Sequence, residues 1–107
     1  MQAEAVFHDF GLSQGTQAKM NAVFARYPQI DRVTLYGSRA KGNYKRGSDI
    51  DLVISSPTMT LAQLLRLENE LDDLLLPYKI DISLLDHIDN PDLLDHIQRV
   101  GREFYCR

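Results

Sequence analysis

The stretch Leu35–Ile54, LYGSRAKGNYKRGSDIDLVI, decides the reading of the fold. The run RVTLYG, 32–37, is β-branched and aromatic, stops at a glycine, and reads as a short strand. Ten residues rich in small and basic types follow Ser38, and SRAKGNY suits a short helix. A second run, DIDLVIS at 49–55, then opens on two aspartates one residue apart. Side chains alternate along a strand, so Asp49 and Asp51 share one face while Ile50, Leu52 and Ile54 take the other.

The run YKIDISLLD, 78–86, repeats this grammar, with Asp81 between Ile80 and Ile82. If the two strands are neighbours over a common core, Asp49, Asp51 and Asp81 converge on the opposite face. Like charges that close repel, and one must take a proton unless a cation neutralises them. An isolated Asp-x-Asp is more often a solvent-facing strand end; the third aspartate at matching parity changes that balance. Oxygen-only ligands in a half-open cluster suit Mg²⁺ or Mn²⁺. His8, His87 and His96 are scattered and read as surface or capping residues, so no soft-metal site competes.

Upstream, Gly37 permits a sharp turn and close approach to the backbone. Ser38 adds a hydroxyl and an amide at the start of the next segment. A helix N-terminus or backbone nest there would bind an anion, with Arg39 and Lys41 adding charge. A plain strand-to-turn serine is the commoner meaning of Gly-Ser alone. The segment is not a Walker A loop, because Asn43 and Tyr44 follow the second glycine, and no G-x-G-x-x-G is present.

Beyond the central stretch, residues 13–27 read as a helix, with Ser13 as cap and Met20, Val23, Phe24 and Tyr27 on one side. Residues 60–76 form a second helix whose apolar stripe is Leu61, Leu64, Leu65, Leu71, Leu74 and Leu75. NPDLLDHIQRVGREFY starts a third at Asn90-Pro91, with Leu93, Ile97, Val100 and Phe104 as a continuous seam. The expected class is mixed α/β (α+β): one domain over residues 1–107, a small mixed β-sheet covered by helices. The formal net charge of -3 argues against direct nucleic-acid binding, although Arg39, Lys41, Lys45 and Arg46 are clustered. The single cysteine, Cys106, excludes an internal disulfide. Residues 1–14 lack a signal-peptide pattern, and no apolar run reaches the roughly 20 residues of a membrane span. A cytoplasmic protein is expected.

With Gly37-Ser38, ten intervening residues and Asp49-Ile50-Asp51, the chain resembles the minimal nucleotidyltransferases (MNT) of the DNA polymerase β-like nucleotidyltransferase superfamily. Ala40, Gly42, Ser48 and Leu52 match the fuller family pattern, and Asp81 matches its third carboxylate. The likeness spans roughly residues 13–106; Lys41 stands where arginine is frequent, which keeps the charge but loses the bidentate fork.

The resemblance implies a nucleotidyltransferase fold in which Asp49, Asp51 and Asp81 hold two Mg²⁺ ions, with Mn²⁺ as an alternative. Gly37 and Ser38 would grip the triphosphate, aided by Arg39, Lys41 and Ser48. A hydroxyl would attack the α-phosphorus of an NTP, ATP being the expected one, with Asp81 as proton acceptor. Larger relatives carry extra domains that bind tRNA, poly(A) or an aminoglycoside; none fits here. Proteins of this kind are commonly paired with a HEPN-domain toxin, and some transfer AMP to it. The expectation is a protein adenylyltransferase antitoxin of a HEPN/MNT pair, as a homo- or hetero-oligomer. The rival is a relic nucleotide-binding module that neutralises a HEPN partner by occlusion. A stand-alone enzyme acting on a small alcohol would need an acceptor pocket at an oligomer interface.

Overall fold

The computed structural model describes residues 9–107, so His8 lies outside the described residues. Helix α1 spans Gln14–Phe24, β1 Arg32–Tyr36, α2 Ser38–Lys41, β2 Ile50–Ser55 and α3 Leu61–Asp72. They are followed by β3 Ile80–Leu84, a 3₁₀ turn Leu85–His87, α4 Pro91–Val100 and β4 Arg102–Cys106. The sheet order is β3-β2-β1-β4. Strand β1 runs antiparallel to both β2 and β4, whereas β2 and β3 are parallel. The parallel pair follows from its connection, since α3 carries the chain across the sheet and returns it to the same end.

One sheet face carries the core. Val33, Leu35, Ile50, Leu52, Ile54, Ile82 and Leu84 are buried there with Met20, Val23 and Phe24 of α1 and Leu64, Leu67 and Leu71 of α3. Local chemistry starts the three longer helices. Ser13 Oγ accepts the Thr16 amide at 3.0 Å, and Thr60 and Gln63 form a reciprocal capping box. Asn90 Oδ1 accepts the amides of Asp92 and Leu93, ahead of Pro91 in the first turn. Helix α4 lies against the other face, where Thr34 and Tyr36 alternate with the core residues of β1; it covers only part of that face.

Two expectations are corrected. The stripe on α3 is Leu64, Leu67 and Leu71, while Leu61 and Leu65 are 58% and 50% exposed. The helix ends at Asp72; Leu74 lies in the turn that follows and still packs against the core, while Leu75 beyond it is 87% exposed at φ 55°. The C-terminal segment, read as one helix through Tyr105, is instead a helix and a strand. Gly101 turns to extended geometry, φ -60° and ψ 142°, and β4 takes the outer edge of β1. Arg102 pairs with Leu35, Glu103 with Thr34 and Tyr105 with Val33, which leaves Phe104 as the extra residue of a bulge. Phe104 is buried, its ring 6.3 Å from that of Phe24 at 83°. Its seam position thus marks burial correctly, but a strand brings it there.

Among the described residues, no helix is long and apolar enough to cross a membrane.

Gly101 separates the two readings by sign. In a helix interior, Gly101→Ala would add about 1 kcal/mol of stability. Here a Cβ would strike the Ile97 carbonyl oxygen and come within 2.8 Å of Thr34 Cγ2. Gly101→Ala is therefore expected to cost about 1–3 kcal/mol, read as a lowered midpoint in thermal or urea unfolding.

Candidate active site

The site grows from the end of β1. Gly37 adopts φ 77° and ψ -156°, a region essentially closed to residues with a Cβ. Space adds a second requirement, because a Cβ on Gly37 would sit 2.5 Å from Asp51 Oδ2. The Gly-Ser turn and the Asp-x-Asp strand are thus in direct contact, although ten residues separate them in sequence. Past the turn, α2 runs Ser38–Lys41 and closes on Gly42 in the left-handed conformation. The first-turn amides of Ser38, Arg39 and Ala40 have no acceptor within that helix.

Opposite the turn, Asp51 pairs in register with Tyr36 on one side and Asp81 on the other. The parallel β2–β3 register therefore brings two of the expected carboxylates onto one face of adjacent strands. Asp49 lies one residue before β2, exposed at its mouth rather than inside it as expected. Burial raises the Asp51 pKa above the usual aspartate range, and the charges of Asp81 and then Asp49 add to the rise. Lys79 opposes it. Burial also raises the Tyr36 hydroxyl, with Asp51 and Asp81 contributing. The three aspartates therefore share one electrostatic field. As the side chains stand, no three acidic, imidazole or thiol groups among the described residues are gathered closely enough to hold an ion.

The basic residues divide differently from expectation. Arg39 is 2% exposed. Its Nε and Nη2 donate to the Ser48 carbonyl at 3.0 and 2.9 Å, and its Nη1 donates to the Phe10 carbonyl at 2.8 Å. Its guanidinium lies 5.3 Å from the Tyr44 ring centroid and 4.8 Å from that of Tyr78. A buried cation must be fully paired, and these partners occupy it, so in this arrangement it ties the loop rather than facing a phosphate. Ser48 belongs to the same tie: its Oγ accepts the Lys45 amide at 2.9 Å, and Asp49 follows directly. Lys41 is exposed and lines a cleft of about 500 Å³ with Arg99 and Arg102.

Two neighbours escaped the sequence reading. Lys79 precedes β3 and shares the parity of Asp81. His96, expected at the surface, is half-buried: its Nε2 accepts the Gly37 amide at 3.2 Å, and its ring meets Tyr36 edge-on at 6.1 Å. A signal existed, since position 96 falls between Leu93 and Val100 on the inward side of α4. His87 is exposed.

A search of the curated proteins finds no match. Several solved structures share the fold. A toxin–antitoxin complex with AMP-PNP contains a chain 20% identical, at a TM-score of 0.69, with 85% of this chain and 73% of that one covered. The toxin–antitoxin MntA–HepT gives 18% identity and a TM-score of 0.66 over 89% of this chain and 74% of the other. A complex of tri-AMPylated Shewanella oneidensis HEPN toxin with MNT antitoxin gives 18% and 0.65, over 88% and 72%. The family model described as polymerase beta, nucleotidyltransferase matches residues 18–107, from the middle of α1 through β4. That span includes the whole site and most of the chain, which therefore belongs to the polymerase beta nucleotidyltransferase family.

Proposed function

We propose that this chain transfers a nucleoside monophosphate, AMP from ATP, to a hydroxyl on a HEPN-domain partner, and so acts as the antitoxin of a toxin–antitoxin pair. The observation that carries the chemistry is the junction of Gly37, Asp51 and Asp81, where a phosphate-accommodating turn abuts a crowded carboxylate face. The partner rests on likeness of fold. The neighbours are antitoxins in complex with their toxins, one toxin is a tri-AMPylated HEPN protein, and one complex holds AMP-PNP.

The donor set fits a hard divalent cation. It is made of carboxylate oxygens alone, and the parallel register sets Asp51 beside Asp81 against the Gly37 turn. Asp49, Asp51 and Asp81 would hold Mg²⁺ or Mn²⁺, which when bound supplies charge neutralisation and Lewis acidity toward the triphosphate. The chain's own groups do the rest. Ser38 and the first-turn amides of α2 would meet the phosphate end, with Lys41 adding positive charge. Arg39 holds the carbonyl of Ser48 and thereby the start of the strand that bears Asp49 and Asp51. Asp81 is the proton acceptor for the attacking hydroxyl. The new bond joins that oxygen to the α-phosphorus, the bond to the β-phosphate oxygen breaks, and pyrophosphate leaves. Positioning and charge stabilisation account for most of such a reaction.

Incubation of the purified chain with its HEPN partner, Mg²⁺ and α-labelled ATP tests this reading. Label is expected on the partner, and Asp49→Ala with Asp51→Ala is expected to reduce it about a hundredfold or more. An unlabelled partner that is still neutralised by the triple Asp49→Ala, Asp51→Ala, Asp81→Ala variant would support occlusion instead.

The charge argument gives a stability test. Because folding raises the Asp51 pKa, the folded state binds its proton more tightly, and stability falls as pH rises through the window above the ordinary value of about 3.8. In chelator at pH 7.5, Asp51→Asn should therefore unfold at a higher temperature than wild type. The difference should vanish on acidification below that ordinary value. Added Mg²⁺ or Mn²⁺ should raise the wild-type midpoint more than that of the variant.

A further inference from the structure

Helix α4 enters the site through one side chain. Its start is fixed by the Asn90 cap and Pro91, and its position on the sheet by buried Ile97. His96 precedes Ile97 and reaches inward to the end of β1, where Nε2 accepts the Gly37 amide at 3.2 Å and the ring packs edge-on against Tyr36. An imidazole nitrogen accepts only when unprotonated, so the ring proton resides on Nδ1 in this contact.

This bond falls on the residue with the most freedom to lose. Gly37 occupies backbone space that other residues cannot use, and its Cα lies against the Asp51 carboxylate. An unrestrained glycine there would sample many conformations, each displacing the amides that follow it. The neighbouring amide contact in α2, from Lys41 N–H to the Gly37 carbonyl at 3.1 Å, fixes the other side of the same residue. With its N–H held by α4 and its C=O held by α2, Gly37 is clamped at both ends. The clamp also assigns its amide: that N–H is committed within the chain.

We propose that His96 is a positioning residue for the phosphate-binding turn, holding Gly37 in its nucleotide-ready conformation before the nucleotide arrives. Such preorganisation removes an ordering cost from binding, so its loss weakens affinity without removing any direct ligand contact. The inference rests on the nucleotide-binding reading of this site given above.

The test compares wild type, His96→Gln and His96→Leu in the full chain by Mg²⁺–ATP calorimetry, hydrogen exchange at the Gly37 amide, and thermal unfolding. Glutamine keeps an acceptor at similar reach, whereas leucine keeps bulk without one. His96→Leu is expected to weaken Mg²⁺–ATP binding about tenfold, the equivalent of one hydrogen bond, and to accelerate exchange at Gly37. His96→Gln is expected to restore most of both. Unchanged affinity in His96→Leu overturns the proposal, as does equal weakening of both variants in step with their unfolding temperatures. If wild type itself binds no Mg²⁺–ATP, the nucleotide reading fails and the inference with it. Wild-type binding that is indifferent to residue 96 overturns the inference alone.

Discussion

Asp51 Oδ2 lies so close to Gly37 that a single methyl group would not fit between them. Around that contact the rest of the site is arranged. Strand β2 places Asp51 beside Tyr36 through the antiparallel register and beside Asp81 through the parallel one, so one carboxylate is flanked on both sides of the sheet. The core on the far face fixes both registers, because a one-residue slip would drive Asp51 and Asp81 inward among Leu52, Ile54 and Ile82. The same apolar alternation that stabilises the sheet therefore also forces like charges together.

Positive charge is distributed so as to leave that concentration largely uncompensated. Arg39, the nearest cation in sequence to the turn, is buried, with its donors spent on the carbonyls of Phe10 and Ser48. Its fork holds the N-terminal segment, the loop and two tyrosine rings together, a task that suits the planar guanidinium better than an ammonium. Lys79 moderates the field at Asp51, but burial and the neighbouring aspartates prevail, and its pKa remains raised. A stable fold tolerates such a cluster when binding an ion offsets its cost.

The alternating strands were legible because their chemistry is local. The parity of Asp51 and Asp81, the break at Gly37, and the Ser13 and Asn90 caps can all be read from neighbours in sequence. Strand β4 could not be read that way. Val100 and Phe104 continue a helical spacing, and only the open edge of β1 and the crowding at Gly101 show that the helix must stop. Arg39 and His96 were misplaced for the same reason. A basic residue after Gly-Ser gives no local sign of carbonyls from Phe10 and Ser48, and a lone histidine on a helix gives none of the Gly37 amide. On α3, a leucine-rich helix offered more apolar positions than one sheet face could cover, which left Leu61 and Leu65 outside.

The most direct measurement is anomalous diffraction from crystals grown with Mn²⁺ and a non-hydrolysable ATP analogue. The account predicts manganese between Asp49, Asp51 and Asp81, with the triphosphate over Ser38 and the first amides of α2. Manganese on the acidic run from Asp86 to Asp95, with none at Asp51 and Asp81, would contradict it.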